Sequence, residues 1–569
     1  MVTPRGIVDL EQGLSVTRGI PLAEEEGIGA LTLGGYLREI TGLYAANEAL
    51  VLHLDAAVIR WSYAELWEQA LSVAKALIAC GAGKGTRVGV LVTNRPEFLA
   101  SVFGAALAGA VPTPISTFFT ATEIDEVLRL SGVSVLLFER KVLKKDFAQV
   151  LLELEPQLAS AAPGELASLR YPYLRHCAMV DTDESLGAIE GWSAFRSRGQ
   201  GVSTDQIHAR TDAVAPSDPG ILLFSSGSTG KVKAILSAGR GACLQLWRWA
   251  QWYDLKGTAR VWSANGFFWS GNFCQALGGS LSNGGTVILQ RWFDPEEALS
   301  LMEREKASML VAWPHQWAQL IAAPNYASVD LSSLHYIDRD TPIAQHPTVK
   351  TDWKESAQAY GNTETFTLIS VWPAGTPPEL AGKSHGVPTA GATIKVIDPF
   401  TGVTMPLGER GEIAVKGPTL MLGYLGIPLD ETLDGEGFLR TSDGGYIDEQ
   451  GRLFWEGRLN DIIKTGGANV SPLEIDDVIR NLDGVKLSQT VGVPDDLLGE
   501  LVVTCVVRFS GAAVSEDAVK AHAKLSLASY KVPRRVLFFD ESDLTTTGNN
   551  KIITADLRKL ATGRLSAEG

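Results

Sequence analysis

Apolar residues along this chain fall into two kinds of run, and their alternation sets the first expectations. Ile221, Leu222, Leu223 and Phe224 follow one another without a polar residue, the mark of a strand buried on both faces. Residues 63–80 instead place apolar side chains at helical spacing, with Ser62 as N-cap and Gly81 and Gly83 as stop signals. Residues 87–92 then read as a strand, 96–108 as a helix and 133–138 as another strand. The theme returns with a strand at 286–289, a helix at 295–305 and a strand at 308–313. Strands alternating with helices predict parallel, βαβ-type sheets. Residues 156–201 are weakly patterned and are expected to be a surface excursion.

Near Gly391 the pattern changes. Residues 392–397, 411–415 and 451–455 are short strands separated by Pro/Gly turns, which predicts a small antiparallel or barrel-like subdomain. From Asn460 onward, apolar stretches at 487–493 and 501–509 alternate with helical segments. Ser471, Pro472 and Glu474 have the order of a helix cap, a first helical residue and a capping-box partner. The expected fold class is α/β, with a large N-terminal domain at 1–457 that carries parallel βα-type sheets. Its small β-barrel-like subdomain is placed at about 391–457, and a C-terminal α+β domain at 458–569, with a hinge at 458–461.

Composition narrows the class. A chain of 569 residues is too long for one core and implies two or more domains. Hydrophobic content of 45% with 20% charged residues is that of a soluble globular protein. The net charge of −15 argues against nonspecific nucleic-acid binding, so a polyphosphate site must gather its positive charge locally. Cys80, Cys177, Cys243, Cys274 and Cys505 lie far apart with no C-x-x-C pair, as expected for reduced thiols in a cytoplasmic protein. The charge-free stretch 98–122 is cut by Pro112 and Pro114. Its apolar part falls short of the ~20 residues that span a bilayer, so a buried helix leading into a buried strand is expected there.

Three motifs carry chemistry. Ser225, Ser226, Gly227, Ser228, Thr229, Gly230 and Lys231, followed by Lys233, combine backbone freedom, hydroxyl donors and positive charge after a buried strand. That is a phosphate cradle, against the plainer reading of a flexible surface loop. It is not a Walker A loop, because Ser225 stands where the first glycine should be and Val232 where Ser or Thr should follow Gly-Lys. Tyr360, Gly361, Asn362, Thr363, Glu364 and Thr365 put a carboxylate beside a hydroxyl in a glycine-containing turn. Such a turn suits Mg²⁺, which takes only one or two protein carboxylates; an ordinary polar turn is the alternative. Asp443 is a candidate acceptor for ribose hydroxyls and Arg458 a candidate donor, against a turn residue and a surface ion pair.

In order and spacing these motifs resemble the adenylate-forming (AMP-binding) superfamily, which includes acyl-CoA and aryl-CoA synthetases, luciferases and peptide-synthetase adenylation domains. The resemblance covers about residues 35–560. It implies that Glu364 holds the metal, Thr363 touches phosphate, Tyr360 lies against adenine, Asp443 binds ribose and Arg458 donates to ribose or phosphate. It makes Asn460 the hinge of a mobile C-terminal domain, sets Lys464, Gly466 and Gly467 beside coenzyme A, and makes Lys551 the adenylation lysine. Phe267, Phe268 and Trp269, with Gly361, fall on the substrate pocket. Trp269 stands where amino-acid-activating members carry an aspartate, which points to an apolar carboxylic acid. Two departures are visible: Asn550 replaces a glycine before the lysine, and residues 334–342 lack the Gly-Gly-Ala-Pro turn.

The implied activity is acyl-CoA synthesis from ATP, Mg²⁺, coenzyme A and a fatty, aryl or polycyclic acid, through an acyl-AMP. A carrier-protein phosphopantetheine or an amine stays open as the acceptor, as does a homodimer. Luciferase-like oxygenation and a catalytically silent nucleotide sensor are the remaining rivals. No nucleic-acid partner and no transmembrane segment are expected.

Overall fold

The computed structural model describes residues 9–11, 13–226, 232–255, 259–355, 358–459, 461, 463–465, 468–495, 498–527, 531–546 and 552–568. It divides into two compact units. One comprises Arg18–Thr393 and Lys416–Leu439; the other comprises Ile394–Val415 and Arg440–Gly569 with an N-terminal piece, Val8–Thr17.

The first unit holds two five-stranded sheets. In one, the strands Ile189–Gly191, His176–Met179, Val135–Phe138, Arg87–Leu91 and Val111–Pro114 lie in that order and are all parallel. In the other, Met309–Val311, Arg260–Ser263, Thr286–Leu289 and Glu48–Leu54 are parallel, and Ala57–Ser62 closes the edge antiparallel. The helices Tyr63–Ala79 and Pro96–Leu107 share one core with both sheets, including Val88 and Val90 of the first and Leu50 and Leu52 of the second. Strands covered on both faces need continuous apolar runs, which is why the pattern announced them.

Local chemistry fixes these elements where the sequence places them. Tyr63–Ala79 begins with a complete capping box: Glu65 N donates to Ser62 Oγ at 3.2 Å, and Ser62 N to Glu65 Oε2 at 2.7 Å. Such a cap contributes about 1 kcal/mol. In Pro96–Leu107 every residue but Glu97 is buried, which accounts for the charge-free stretch as a helix enclosed by protein. Pro112 and Pro114 lie in Val111–Pro114, the edge strand of its sheet, where a missing N–H costs no central ladder bond. No helix among the described residues is long and apolar enough to cross a membrane.

One expectation is corrected. Residues 156–201 are not a surface excursion throughout, since His176–Met179 is buried along its whole length and pairs with Val135–Phe138. Its apolar run, Cys177 to Val180, is only four residues long and stands in an otherwise weakly patterned stretch.

The second unit carries a six-stranded sheet ordered Asp9–Leu10, Val16–Arg18, Thr393–Ile397, Gly411–Lys416, Leu439–Ile447 and Leu453–Arg458. A second sheet runs Ala468–Val470, Ile463–Thr465, Gly499–Arg508 and Val485–Asp495, with Arg535–Phe538 alongside Gly499–Arg508. Alternation is clear in Gly499–Arg508: Val502 and Val506 enter the core beneath Pro472–Ile479 and Glu516–Lys524, while Val503 and Cys505 face Leu557 and Ala561 of the C-terminal helix. The helix Pro472–Ile479 starts where expected, but its capping box does not form. Ser471 Oγ donates instead to the Glu456 carbonyl at 2.5 Å, and Glu474 pairs with Lys531. Tertiary partners outcompete the local bond.

Candidate functional site

The cradle motif sits at the end of a hairpin. Pro219–Ser226 and Val232–Ala238 are antiparallel, with Ser225 opposite Lys233 and Ser226 opposite Val232. Ile221, Leu222, Leu223 and Phe224 are all buried. A Walker A segment runs from a strand into a helix; this one joins two strands. Gly227, Ser228, Thr229, Gly230 and Lys231 lie outside the described residues, as do the side chain of Ser226 and all of Asn460, Gly466, Gly467 and Lys551.

The Tyr360 turn is rigid by construction. Tyr360–Asn362 pairs with Thr367–Val371, and Tyr360 is buried. Asn362 Oδ1 accepts from Thr365 N at 2.9 Å, while Thr365 Oγ1 donates to the Thr367 carbonyl at 2.7 Å. Phe366 and Thr367 have φ of 51° and 98°, left-handed values that cost non-glycine residues energy and collect at functional sites. Gly361 is obligatory, because a Cβ there would lie 1.8 Å from the Thr367 carbonyl oxygen. Thr363 and Glu364 are half-buried on the single 3₁₀ turn that follows.

A residue the motif reading missed ties turn to hairpin. Tyr424 Oη donates to Glu364 Oε1 at 2.7 Å, and Lys233 Nζ lies 4.8 Å from the centre of the Tyr424 ring. Tyr424 is opposite Ile235 in the hairpin sheet, and Met421 N donates to the Glu364 carbonyl at 2.7 Å. The Glu364 carboxylate thus stands one tyrosine away from the cation that flanks the cradle. A two-residue strand, Gly423–Tyr424, leaves no periodic signal in the sequence.

Asp443 and Arg458 meet within the second unit. They are opposite one another in a strand pair, with Arg458 Nε 3.1 Å from Asp443 Oδ1, and Arg458 Nη1 donates to the Thr441 carbonyl at 2.9 Å. The Asp443 side chain is 5% exposed and that of Arg458 52%. Lys464 is exposed in Ile463–Thr465, where its backbone N–H donates to Glu500 Oε2 at 2.7 Å.

The aromatic segment is held by amides. Asn94 Nδ2 and Asn272 Nδ2 donate to the Asn265 carbonyl at 2.7 and 2.6 Å, and Phe267 N donates to Asn94 Oδ1 at 3.0 Å. Phe267 is fully buried against Phe98, whereas Phe268 and Trp269 meet edge-on at 5.0 Å. Nearby in sequence, Gln275 Nε2 donates to Tyr253 Oη at 2.8 Å, and Tyr253 Oη donates to Glu355 Oε1. Burial raises the Glu355 carboxyl above the ordinary range.

Comparison with known proteins gives the class. The AMP-binding enzyme family matches residues 44–425, and the AMP-binding enzyme C-terminal domain matches residues 474–549. The chain belongs to the AMP-binding enzymes, in the AMP-forming acid–CoA ligase family. It is 31% identical to the 3-[(3aS,4S,7aS)-7a-methyl-1,5-dioxo-octahydro-1H-inden-4-yl]propanoyl:CoA ligase of Mycobacterium tuberculosis, over 88% of this chain and 94% of that one. With the feruloyl-CoA synthase of Amycolatopsis sp it shares 30% identity over 88% and 93% of the two chains. The crystal structure of ATP-bound MatB from Rhodopseudomonas palustris has the same fold, with a TM-score of 0.71 at 24% identity over 93% and 99% of the chains.

Proposed function

We propose that this protein is an ATP-dependent acyl-CoA synthetase for an apolar carboxylic acid. The observation that carries the reading is the Lys233–Tyr424–Glu364 connection at the end of the cradle hairpin. It brings a cation, a phenol and a carboxylate to one place, as a metal–polyphosphate substrate requires. Glu364 and Thr363 fit Mg²⁺: one carboxylate and one hydroxyl on a rigid turn suit an ion that keeps most of its ligands from water and phosphate. When bound, the ion neutralises charge on the phosphate oxygens.

The chain's own residues then divide the work. The cradle and Lys233 orient the triphosphate, Tyr360 lies along adenine and Asp443, aligned by Arg458, accepts from the ribose hydroxyls. A carboxylate oxygen of the acid attacks the α-phosphorus, and pyrophosphate leaves with the bridging oxygen. Lys551 stabilises the negative charge that grows at that phosphorus. The C-terminal domain, 458–569, then turns about Asn460, withdrawing Lys551 and presenting Lys464, Gly466 and Gly467 to coenzyme A. The thiolate attacks the acyl carbonyl and AMP leaves. Two nucleophiles use one dry site in turn, which is what a moving domain permits.

Relatives named for an octahydro-indenyl propanoate and for feruloyl-CoA support a ring-bearing acid. The test is pyrophosphate release from ATP and Mg²⁺ across fatty, aryl and polycyclic acids. Thioester formation is then compared for coenzyme A, a phosphopantetheinylated carrier protein and a simple amine. ATP binding without pyrophosphate release from any acid would instead mark a nucleotide sensor.

A further inference from the structure

An exposed phenylalanine and a fully used lysine stand beside the aromatic segment, and neither belongs to the motifs above. Phe118 is 49% exposed, yet it stacks on Trp269 with centroids 5.8 Å apart and planes 24° from parallel. It also meets Phe268 edge-on at 5.7 Å. The loop that bears it follows Val111–Pro114; Phe118 N donates to Ser116 Oγ at 3.2 Å, and a lysine clamps the loop from outside. Lys145 Nζ donates to the carbonyls of Thr117, Phe118 and Phe119 at 3.0, 2.7 and 2.9 Å. An ammonium has three N–H donors, and here all three serve consecutive carbonyls of a single loop. Burial lowers the Lys145 pKa by desolvating the ammonium, against the opposing charge of Glu123.

Position gives this clamp a meaning. Phe119 packs on the core that contains Phe224 and Val232, the residues flanking the cradle. The loop therefore links the cradle hairpin to the aromatic segment, with Phe118 turned toward Trp269. An acid held with its carboxylate at the cradle and its apolar part at Trp269 would meet Phe118 on the other side. Here the two rings stack directly on one another. A flat acid ring would enter by parting them, stacked on both sides, once the half-exposed Phe118 changes rotamer. A flexible alkyl chain gains no ring stacking there.

We propose that Phe118 is the outer wall of the acyl site, selecting flat ring-bearing acids by stacking opposite Trp269, and that Lys145 is the positioning residue that fixes it. This rests on the acyl-CoA synthetase reading and deepens it by naming a substrate class. The experiment measures pyrophosphate release and, separately, calorimetric binding with ferulic acid and decanoic acid on the full chain. Phe118→Ala is expected to lower the ferulic-to-decanoic ratio of kcat/KM about tenfold, through KM rather than kcat. Phe118→Leu, which keeps apolar bulk at a half-exposed position, should lower it by a similar factor. Lys145→Met should shift the ratio the same way, and Lys145→Arg, which also donates to carbonyls, should restore it.

Equal changes for both acids, or none, would overturn the inference while leaving the synthetase reading intact. Binding that prefers ferulic acid and loses that preference in Phe118→Ala, with no pyrophosphate from any acid, would do the reverse.

Discussion

Glu364 in the first unit and Asp443 in the second are carboxylates on closely similar supports, one beside a neutral donor and the other beside a cation. Each lies within three residues of a left-handed non-glycine position: Phe366 and Thr367 after one, Ser442 before the other. Each is carried by a paired strand or the turn leaving it. Glu364 accepts from the phenol of Tyr424, a neutral donor that fixes geometry without cancelling charge. Asp443 faces the guanidinium of Arg458 at 3.1 Å. A ligand for a cation must keep its charge, whereas an acceptor for ribose hydroxyls needs only orientation. On the proposed roles, the carboxylate beside a neutral donor is the one offered to the metal, and the carboxylate aligned by a guanidinium is the one offered to the sugar.

The largest effect should come from removing the charge that the first site keeps. Glu364→Gln preserves an acceptor for Tyr424 but not the anion, and is expected to lower the pyrophosphate-release rate by about 10²–10³-fold, the scale of a lost electrostatic contact in a transition state. Raising Mg²⁺ should recover part of it. A loss below threefold would mean that Glu364 is an ordinary turn residue. At the second site, Asp443→Asn keeps shape and one acceptor. It should raise the KM for ATP about tenfold with little change in kcat, the mark of lost ground-state binding. A fall in kcat as deep as that of Glu364→Gln would erase the distinction between the two carboxylates.

Tyr424→Phe separates geometry from charge at the first site. Losing a hydrogen bond to a charged group costs about 1.5–3 kcal/mol where the partner stays buried. Glu364 is half-buried, so a three- to tenfold loss of pyrophosphate release is expected. An effect as large as that of Glu364→Gln would show that position, rather than charge, is what the carboxylate supplies.

How much of this was legible beforehand follows from the range of each interaction. The helix Tyr63–Ala79 and its Ser62 cap were legible because partner and cap lie three residues apart. The Tyr360 turn was legible as a motif, and the close approach of the Thr367 carbonyl shows why Gly361 is fixed. Tyr424 was hidden because its partner Glu364 is 60 positions away and its strand is two residues long. Lys145 was hidden because a lysine reads as a solvated charge until the carbonyls of 117–119 fold onto it. Ser471 shows the opposite failure. Its local pattern was correct, but the Glu456 carbonyl, 15 positions back, took the hydroxyl.

A third carboxylate sharpens the comparison, because hydroxyls and a backbone N–H, rather than a guanidinium, are its hydrogen-bond partners. Asp476 is 1% exposed within the second unit. It accepts from Ser488 Oγ at 2.8 Å, from Thr490 Oγ1 at 2.7 Å and from Thr490 N at 3.0 Å. Burial dominates these bonds and pushes its pKa up to about 6. The folded state thus holds the proton more tightly than the unfolded chain. Stability from this group is complete below the ordinary Asp range near 4 and is lost as pH rises through about 6, by about 3 kcal/mol in all. Asp476→Asn cannot ionise, so that slope should vanish. Its amide oxygen can accept from Thr490 N–H while its NH2 donates to the Ser488 and Thr490 hydroxyls, so the variant keeps its partners. Hydrogen exchange in Val485–Asp495 and Gly499–Arg508, followed from pH 4 to pH 7, reads the slope directly. If Asp476→Asn kept the native pH dependence, the desolvation of this carboxyl would not be the source of the slope.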